Sequence, residues 1–468
     1  VLRVPAPSTD LRAAFDAIRA ELDVPLAFPA EVLAAAEEAV RAPLPARDLT
    51  DVPFFTIDPP GSMDLDQAMA LERDGDGHRV QYAIADVPAF VALGSPLDAE
   101  ARRRGVTIYA PDGRTPLHPP VLSEDAASLL PDRERPAFVW DLRLDGRGVV
   151  TSATVARARV RSRARHDYAS VQATLDAGGA PEELVLLREI GERRIALERE
   201  RGGAELPMPA QEIEEHDGRY ALVYRPQVPV EDHNAQISLM TGSAAAQLML
   251  DGGIGILRTM PPPAEEAVGQ LRRQARALGV AWPDGVAHGA FLRSLDLARP
   301  EHVAIVHAAR RLFRGAAYTA FDGTAPTGDD ARHAGVAAPY AHVTAPLRRL
   351  VDRFGLLVCA ALCAGEPVPE DLRAALPLLP DLMRAADRRA SSVERACLDA
   401  VEAAVLAPRA GETFRGVVVG RDDRGAQVQL HDPAVVAPLE GDVQLGDELD
   451  VRLVEADVAR RVVRFAAA

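Results

Sequence analysis

Three aspartates, Asp58, Asp64 and Asp66, stand within nine residues in the segment TIDPPGSMDLDQ. Carboxylates this close repel one another, and each pKa rises unless a cation neutralises the group. Oxygen donors without histidine or cysteine favour a hard ion such as Mg²⁺, with Mn²⁺ as a substitute. The run DVPFFTID reads as a short strand that ends in a Pro59-Pro60-Gly61 turn, which brings Asp58 round to face the later pair. A solvated acidic loop is the ordinary alternative for an aspartate cluster. The strand, the prolyl turn and the Asp-x-Asp that follows argue against it. The glycine and closing glutamate of an EF-hand are missing at their offsets from Asp64, which excludes that loop.

Other chemistries drop out. All 53 basic residues are arginine, so a Walker lysine, a pyridoxal-phosphate Schiff base and a kinase lysine are impossible. There is no G-x-S-x-G serine motif. The stretch DGGIGILR (Asp251–Arg258) has Arg258 where a dinucleotide loop needs its third glycine, so it reads as a turn. A net charge of -16 argues against uniform attraction to nucleic acid. Arginine nevertheless holds phosphate in a planar fork, so such a contact must come from local clusters. Candidates are Arg102-Arg103-Arg104, Arg348-Arg349 with Arg353, and Arg388-Arg389; a solvated helix face is the alternative for each.

The elements that must position these groups follow from pattern. Two helical stretches, LRAAFDAIRAEL after a Ser8-Thr9-Asp10 cap signal and EVLAAAEEAVRA, make residues 1–50 a helical N-terminal region. They could be half of a helix-turn-helix or a helical cap on the next domain. Residues 51–406 mix strands and helices. A hairpin turns at Asp74–Gly77, strand-like pieces lie at Phe138–Leu144 and Val155–Val160, and a helix covers Glu182–Arg201. A strand pair follows around Glu212–Tyr224, and alanine-rich helices run from 235 to 405. Residues 407–468, after the linker Ala407–Gly411, alternate as a five-stranded barrel does. The fold class is α+β. The longest apolar run, Phe354–Ala364, is too short to span a bilayer and reads as a buried helix that takes Cys359 and Cys363 into its packing. The start of the chain shows no apolar signal core, and three cysteines without a CxxC suit a reducing compartment. A soluble cytoplasmic protein is expected.

Several motifs in order resemble the ribonuclease II/R (RNB domain) family. T-I-D followed by D-x-D resembles its catalytic signature, with Gln67 where the family has a further aspartate. The likeness continues in YAIADVPAFV (Tyr82–Val91), in YAPDGRTPLHPPVLSEDAASLLP (Tyr109–Pro131), in YAHVTAPLRRLVD (Tyr340–Asp352) and in SVERA around Glu394. The resemblance implies an RNB-type catalytic domain and a hydrolytic 3′→5′ exoribonuclease, processive or distributive, that releases nucleoside 5′-monophosphates from single-stranded RNA. It implies a metal site at Asp58, Asp64 and Asp66, to which Gln67 adds only a neutral oxygen. It places Arg348 on the helix opened by Thr344-Ala345-Pro346, where it grips the phosphate under attack, and Tyr109 on a base near the 3′ end. By the same resemblance Glu394 contacts the terminal nucleotide, and Arg349, His342 and Asn234 are RNA-side candidates. His342 is otherwise a packed histidine. In His233–Gln247 the family's glutamates are replaced by Ile237 and Ser238, leaving Asn234 and Gln236 for related polar work.

The C-terminal barrel resembles an S1/OB-type domain. Its only rings are Phe414 and Phe465, so weak RNA capture is expected of it. The two-helix start does not resemble the cold-shock domains of many members. A monomer is expected, with no membrane and no small-molecule cofactor. Two further readings stay open: an RNA-binding protein on the same fold that no longer cleaves, motivated by Gln67, and a two-metal nuclease that also acts on DNA.

Overall fold

The computed structural model describes residues 3–5, 9–208, 210–216, 219–225, 227–422 and 425–468. Ser8 of the expected cap lies outside them.

The first large unit is a closed five-stranded barrel of Asp48–Ile57, Gln67–Asp74, Gly77–Ala85, Glu134–Leu144 and Val150–His166, hydrogen-bonded in that order. The last strand closes it by running parallel to the first, with Ile57 opposite His166. Its 17 residues exceed the expected Val155–Val160 because VARARVRSRAR alternates throughout: Ala158, Val160 and Ser162 turn inward and the arginines between them turn out. The expected hairpin forms with Asp74 opposite Gly77, and Gly75 supplies the positive φ of 62° that its two-residue turn needs. Alternate barrel residues feed two apolar clusters. One takes the large side chains Phe55, Tyr82 and Trp140 together with the helices. The other is alanine-rich (Ala68, Ala83, Ala137, Ala158) and also buries Leu65 and Leu347.

Helices cover this barrel. Glu182–Glu200 and Pro229–Gly252 pack together, and Leu350–Ala364 lies against the latter. The apolar run does form that buried helix, with Cys359 inside. The N-terminal helices Thr9–Glu21 and Ala30–Ala39 do not stand free as a helix-turn-helix. Leu11, Phe15 and Ile18 enter the main core against the long helix Leu379–Leu406, while Val32 and Ala36 join the alanine-rich cluster.

The C-terminal strands Thr413–Asp422, Gly425–Leu430, Val436–Glu440, Glu448–Asp457 and Val462–Ala467 close a second five-stranded barrel. Phe414 and Phe465 meet edge to face inside it at 5.7 Å, so neither ring is offered to a base. Among the described residues no helix is long and apolar enough to cross a membrane.

Candidate active site

The first strand delivers Asp58 to the barrel's end, where its backbone N–H donates to the His166 carbonyl at 3.2 Å. The chain then turns through Gly61 (φ 81°) and is pinned by Ser128. The Ser128 hydroxyl accepts from the Leu65 N–H at 2.9 Å and donates to the Met63 carbonyl at 2.6 Å. Leu65 is buried in the alanine-rich cluster, so Asp66 on its far side is held at the mouth of the barrel. These contacts convert a polar loop into a rigid one.

The partner segment comes from 280 residues away. Pro346, Leu347 and Arg348 form a turn clamped from several sides. The Leu347 N–H donates to Asp66 Oδ1 at 2.8 Å, Gln67 Nε2 donates to the Thr344 carbonyl, and buried His118 Nε2 lies 3.3 Å from the Pro346 carbonyl. Asp352 accepts from the Ala345 N–H at 2.6 Å, and the Thr107 N–H donates to the Arg348 carbonyl at 3.0 Å. Leu347 is buried beside Leu65. Arg348 does not ride on a helix, as its motif suggested. The main-chain groups of 345–350 are taken by Asp66, Asp352, Thr107 and Gly105, so the helix begins only at Leu350.

The result is an exposed guanidinium against one buried acid, Asp66, and one half-buried acid, Asp58. Arg348 Nε lies 3.4 Å from Asp66 Oδ2. Burial pushes the Asp66 carboxyl up to about 8, an effect that Arg348 and the Leu347 N–H only partly offset. Burial, reinforced by the charge of Asp64 and opposed by Arg348, pushes Asp58 up to about 7. Asp64 is turned to the Arg114 guanidinium, which also bonds Glu124 at 2.9 Å. The Tyr109 hydroxyl is 3.5 Å from Asp64 Oδ2 and its ring is half exposed, open to a stacking partner.

The donor set at this mouth is oxygen only: three carboxylates and Gln67 Oε1, its Nε2 being committed. Buried Asp66 and half-buried Asp58 lack a full counter-charge, which suits a hard divalent ion. Among the described residues, however, no three acids, histidines or cysteines converge closely enough to hold a metal as they stand. Asp64 and Asp66 are each drawn to a different protein donor.

Other expected residues divide. Asn234 is buried beside the site, its Nδ2 donating to the Tyr168 hydroxyl at 3.1 Å, and Tyr168 faces the charge of Asp58. Gln236 bonds Glu198 instead. Arg349 turns away into a two-bond pair with Asp352, both at 2.9 Å. His342 accepts or donates at 2.8 Å to the Tyr318 hydroxyl and packs against Tyr318 and Tyr340, the packed alternative. Glu394 is exposed on the long helix, in a groove shared with Arg310 and Gln429, apart from the aspartates. Arg353, expected among the phosphate-side arginines, is buried against Asp98. Arg102 to Arg104 are likewise spent on Asp98 and Glu100, and Arg104 stacks on Phe28 at 3.6 Å. An arginine ends inside when a carboxylate satisfies its charge; helical spacing pairs Arg102 to Arg104 with Asp98 and Glu100, but it cannot reveal that Asp98 also takes Arg353 from 255 residues away.

With this geometry in hand, comparison with known proteins is decisive for the family. The model described as RNB domain matches residues 46–358, and that of the RNase II-type exonuclease C-terminal S1 domain matches 412–468. The chain belongs to the RNB family. Ribonuclease R of Aquifex aeolicus is 28% identical to this RNB protein over 478 residues, which cover 96% of the chain and 65% of that relative. The chain therefore spans slightly less than two thirds of that relative's length. Among solved structures, Mycoplasma genitalium RNase R in complex with ribose-methylated single-stranded RNA superposes with a TM-score of 0.88 at 20% identity, covering 98% of this chain and 78% of that one. Yeast Ssd1, described as a pseudonuclease, superposes at 0.69 with 17% identity, covering 89% and 54%. The RNB fold thus occurs with and without cleavage, and the side chains at the barrel mouth carry the question of activity.

Three residues of this RNB site escaped the sequence reading. Arg114 is the direct cross-strand partner of Tyr109, a pairing that the Pro111-Asp112 turn between them could have exposed. His118 and Tyr168 had no local signal, because each bonds a distant segment, at Pro346 and Asn234.

Proposed function

We propose that this RNB protein is a divalent-metal-dependent hydrolytic 3′→5′ exoribonuclease of the ribonuclease II type, acting on single-stranded RNA and releasing nucleoside 5′-monophosphates. One observation carries the reading: the exposed Arg348 guanidinium lies against buried Asp66, next to half-buried Asp58, and the half-exposed Tyr109 ring reaches Asp64 of the same loop. Asp58, Asp64 and Asp66, with Gln67 Oε1, would hold Mg²⁺ or Mn²⁺. When bound, the ion supplies an acidified water and a counter-charge for the phosphate. Arg348 donates to a phosphate oxygen and is freest to do so when the acids beneath it are otherwise neutralised. Tyr109 stacks on a base near the 3′ end without reading its identity, as a sequence-blind enzyme requires. Asn234 orients Tyr168 beside Asp58. Arg114 orients Asp64, which would hold the ion with Asp58 and Asp66.

A second reading is an RNA-binding protein that no longer cleaves. It is favoured by Gln67, whose amide is engaged with Thr344, and by the likeness to a pseudonuclease. A gel assay with 3′-extended single-stranded RNA and the matching DNA, in Mg²⁺ or EDTA, separates the readings. Metal-dependent laddering of RNA alone supports the exoribonuclease. Binding without shortening supports the second reading, and equal attack on DNA would point to a broader two-metal nuclease.

A further inference from the structure

A second group of cations lies outside the acidic mouth. The helix Leu379–Leu406 carries exposed Arg384, Arg388 and Arg395 at i, i+4 and i+11, which share one face. A rise of 1.5 Å per residue sets the first two about 6 Å apart along the axis and the third about 10 Å farther on. With Arg258 they line a groove of about 490 Å³, a size that admits a small ligand or a short stretch of strand. Among the described residues lining it, Asp387 is the single carboxylate. Arg384 pairs with Asp381 at 2.6 Å, and Arg258 lies 3.6 Å from Asp387 while stacking on the Tyr318 ring at 4.6 Å. Arg388 and Arg395 enter no ion pair among the described residues.

Four guanidinium groups thus line a groove whose one carboxylate is met by Arg258, in a chain of net charge -16; Arg384 is offset by Asp381 and Arg395 faces Asp399 and Glu402, which leaves Arg388 without an acid of its own. Scattered surface arginines in so acidic a chain would find acids, as most here do. A lining of four arginines and one carboxylate still carries an excess of positive charge and selects an anion, and planar forks match phosphate oxygens better than they match a point charge. Its inner end is Tyr318, whose hydroxyl is bonded to His342, six residues before Arg348. Groove and acidic mouth are therefore two sides of one segment.

We propose that this groove is a binding site for ribonucleotide phosphates, a proposal that rests on the nuclease reading. The phosphates could belong to the RNA strand or to a released nucleoside 5′-monophosphate, and the chemistry recognised is the same. The test compares Arg384→Gln/Arg388→Gln/Arg395→Gln with a control, Arg12→Gln/Arg273→Gln/Arg276→Gln, which removes equal charge from exposed helix faces elsewhere. Binding of a fluorescent oligoadenylate is measured in EDTA across a salt series, and AMP is titrated by calorimetry. If the strand lies in the groove, the first variant binds RNA roughly tenfold more weakly and its log affinity–log salt slope falls by about 2, at ~0.7 per lost contact. If the released nucleotide lies there, RNA binding is unchanged and AMP binding falls roughly tenfold. The proposal is overturned if neither changes, or if the control loses as much. Should the triple variant lose its cooperative melting transition, Arg388→Gln alone serves, with a slope change of about 0.7 expected for the strand and weakened AMP binding for the nucleotide. RNA shortening by the wild type in Mg²⁺, run in parallel, tests the nuclease reading by itself, since groove binding is read without turnover.

Discussion

The chain builds two closed five-stranded barrels, and only one of them carries a candidate active site. The C-terminal barrel is filled by Phe414, Val418, Val428, Leu453 and Phe465, and its charges pair on the outside, as Arg464 does with Glu455 at 2.5 Å. The barrel of residues 48–166 is also filled, but the loop from Asp58 to Gln67 is folded back over its mouth, and a turn from Thr344–Arg348 is clamped against it. Barrel closure alone therefore creates no chemistry. The site arises where a distant segment seals one end, so that carboxylates lose water without gaining a matched cation.

Asp66→Asn should have the largest effect on that contrast, abolishing metal-dependent shortening while leaving RNA affinity within a few-fold of wild type. The asparagine Oδ1 can still accept from Leu347, so the turn stays in place; near-normal turnover would remove the site from consideration. Arg348→Ala should lower kcat by roughly 10²–10³, the scale for losing one donor to a developing charge, with little change in melting temperature because the side chain is exposed. In the other barrel, Phe465→Ala should cost about 3–5 kcal/mol in denaturant unfolding and leave turnover on short RNA at the wild-type value wherever the protein is folded. A parallel loss of turnover in fully folded protein would tie the two barrels functionally.

Gln67→Asp sharpens the comparison further. A carboxylate cannot donate to the Thr344 carbonyl, so the variant should lose about 1–3 kcal/mol in EDTA. Recovery of that loss in Mg²⁺ would mark position 67 as a ligand as well as a latch. The smallest effect is a pH dependence. Between about pH 4 and 8 the folded, metal-free chain keeps protons on Asp58 and Asp66 that the unfolded chain has released, so stability should fall as pH rises through that window. Melting curves in EDTA should show this slope, and Mg²⁺ should flatten it. A slope of the opposite sign would mean that the two acids are ionised and satisfied without an ion.

Much of this was legible in the residues. The hairpin at Asp74–Gly77, the helix over Glu182–Glu200 and the C-terminal barrel follow from periodicity and turn chemistry, which are local. The acidic trio and Tyr109 could be singled out as candidates because motif and spacing are local too. The errors share one cause. Arg353, beside Arg348 in sequence, and Arg104 in another cluster looked equally available, yet Asp98 and Glu100 draw them inside. The helix expected to carry Arg348 begins late because its first carbonyls and N–H groups have better partners elsewhere.

By itself, the order of residues determined which elements form and which side chains have the chemistry for metal and phosphate. Only the tertiary structure decided which charges stay free. A guanidinium is available to substrate when no carboxylate has already met it, and an acid is perturbed when packing strips its water. At Asp66 and Arg353 both conditions depend on segments 281 and 255 residues apart, so there they exist in no local stretch of the chain.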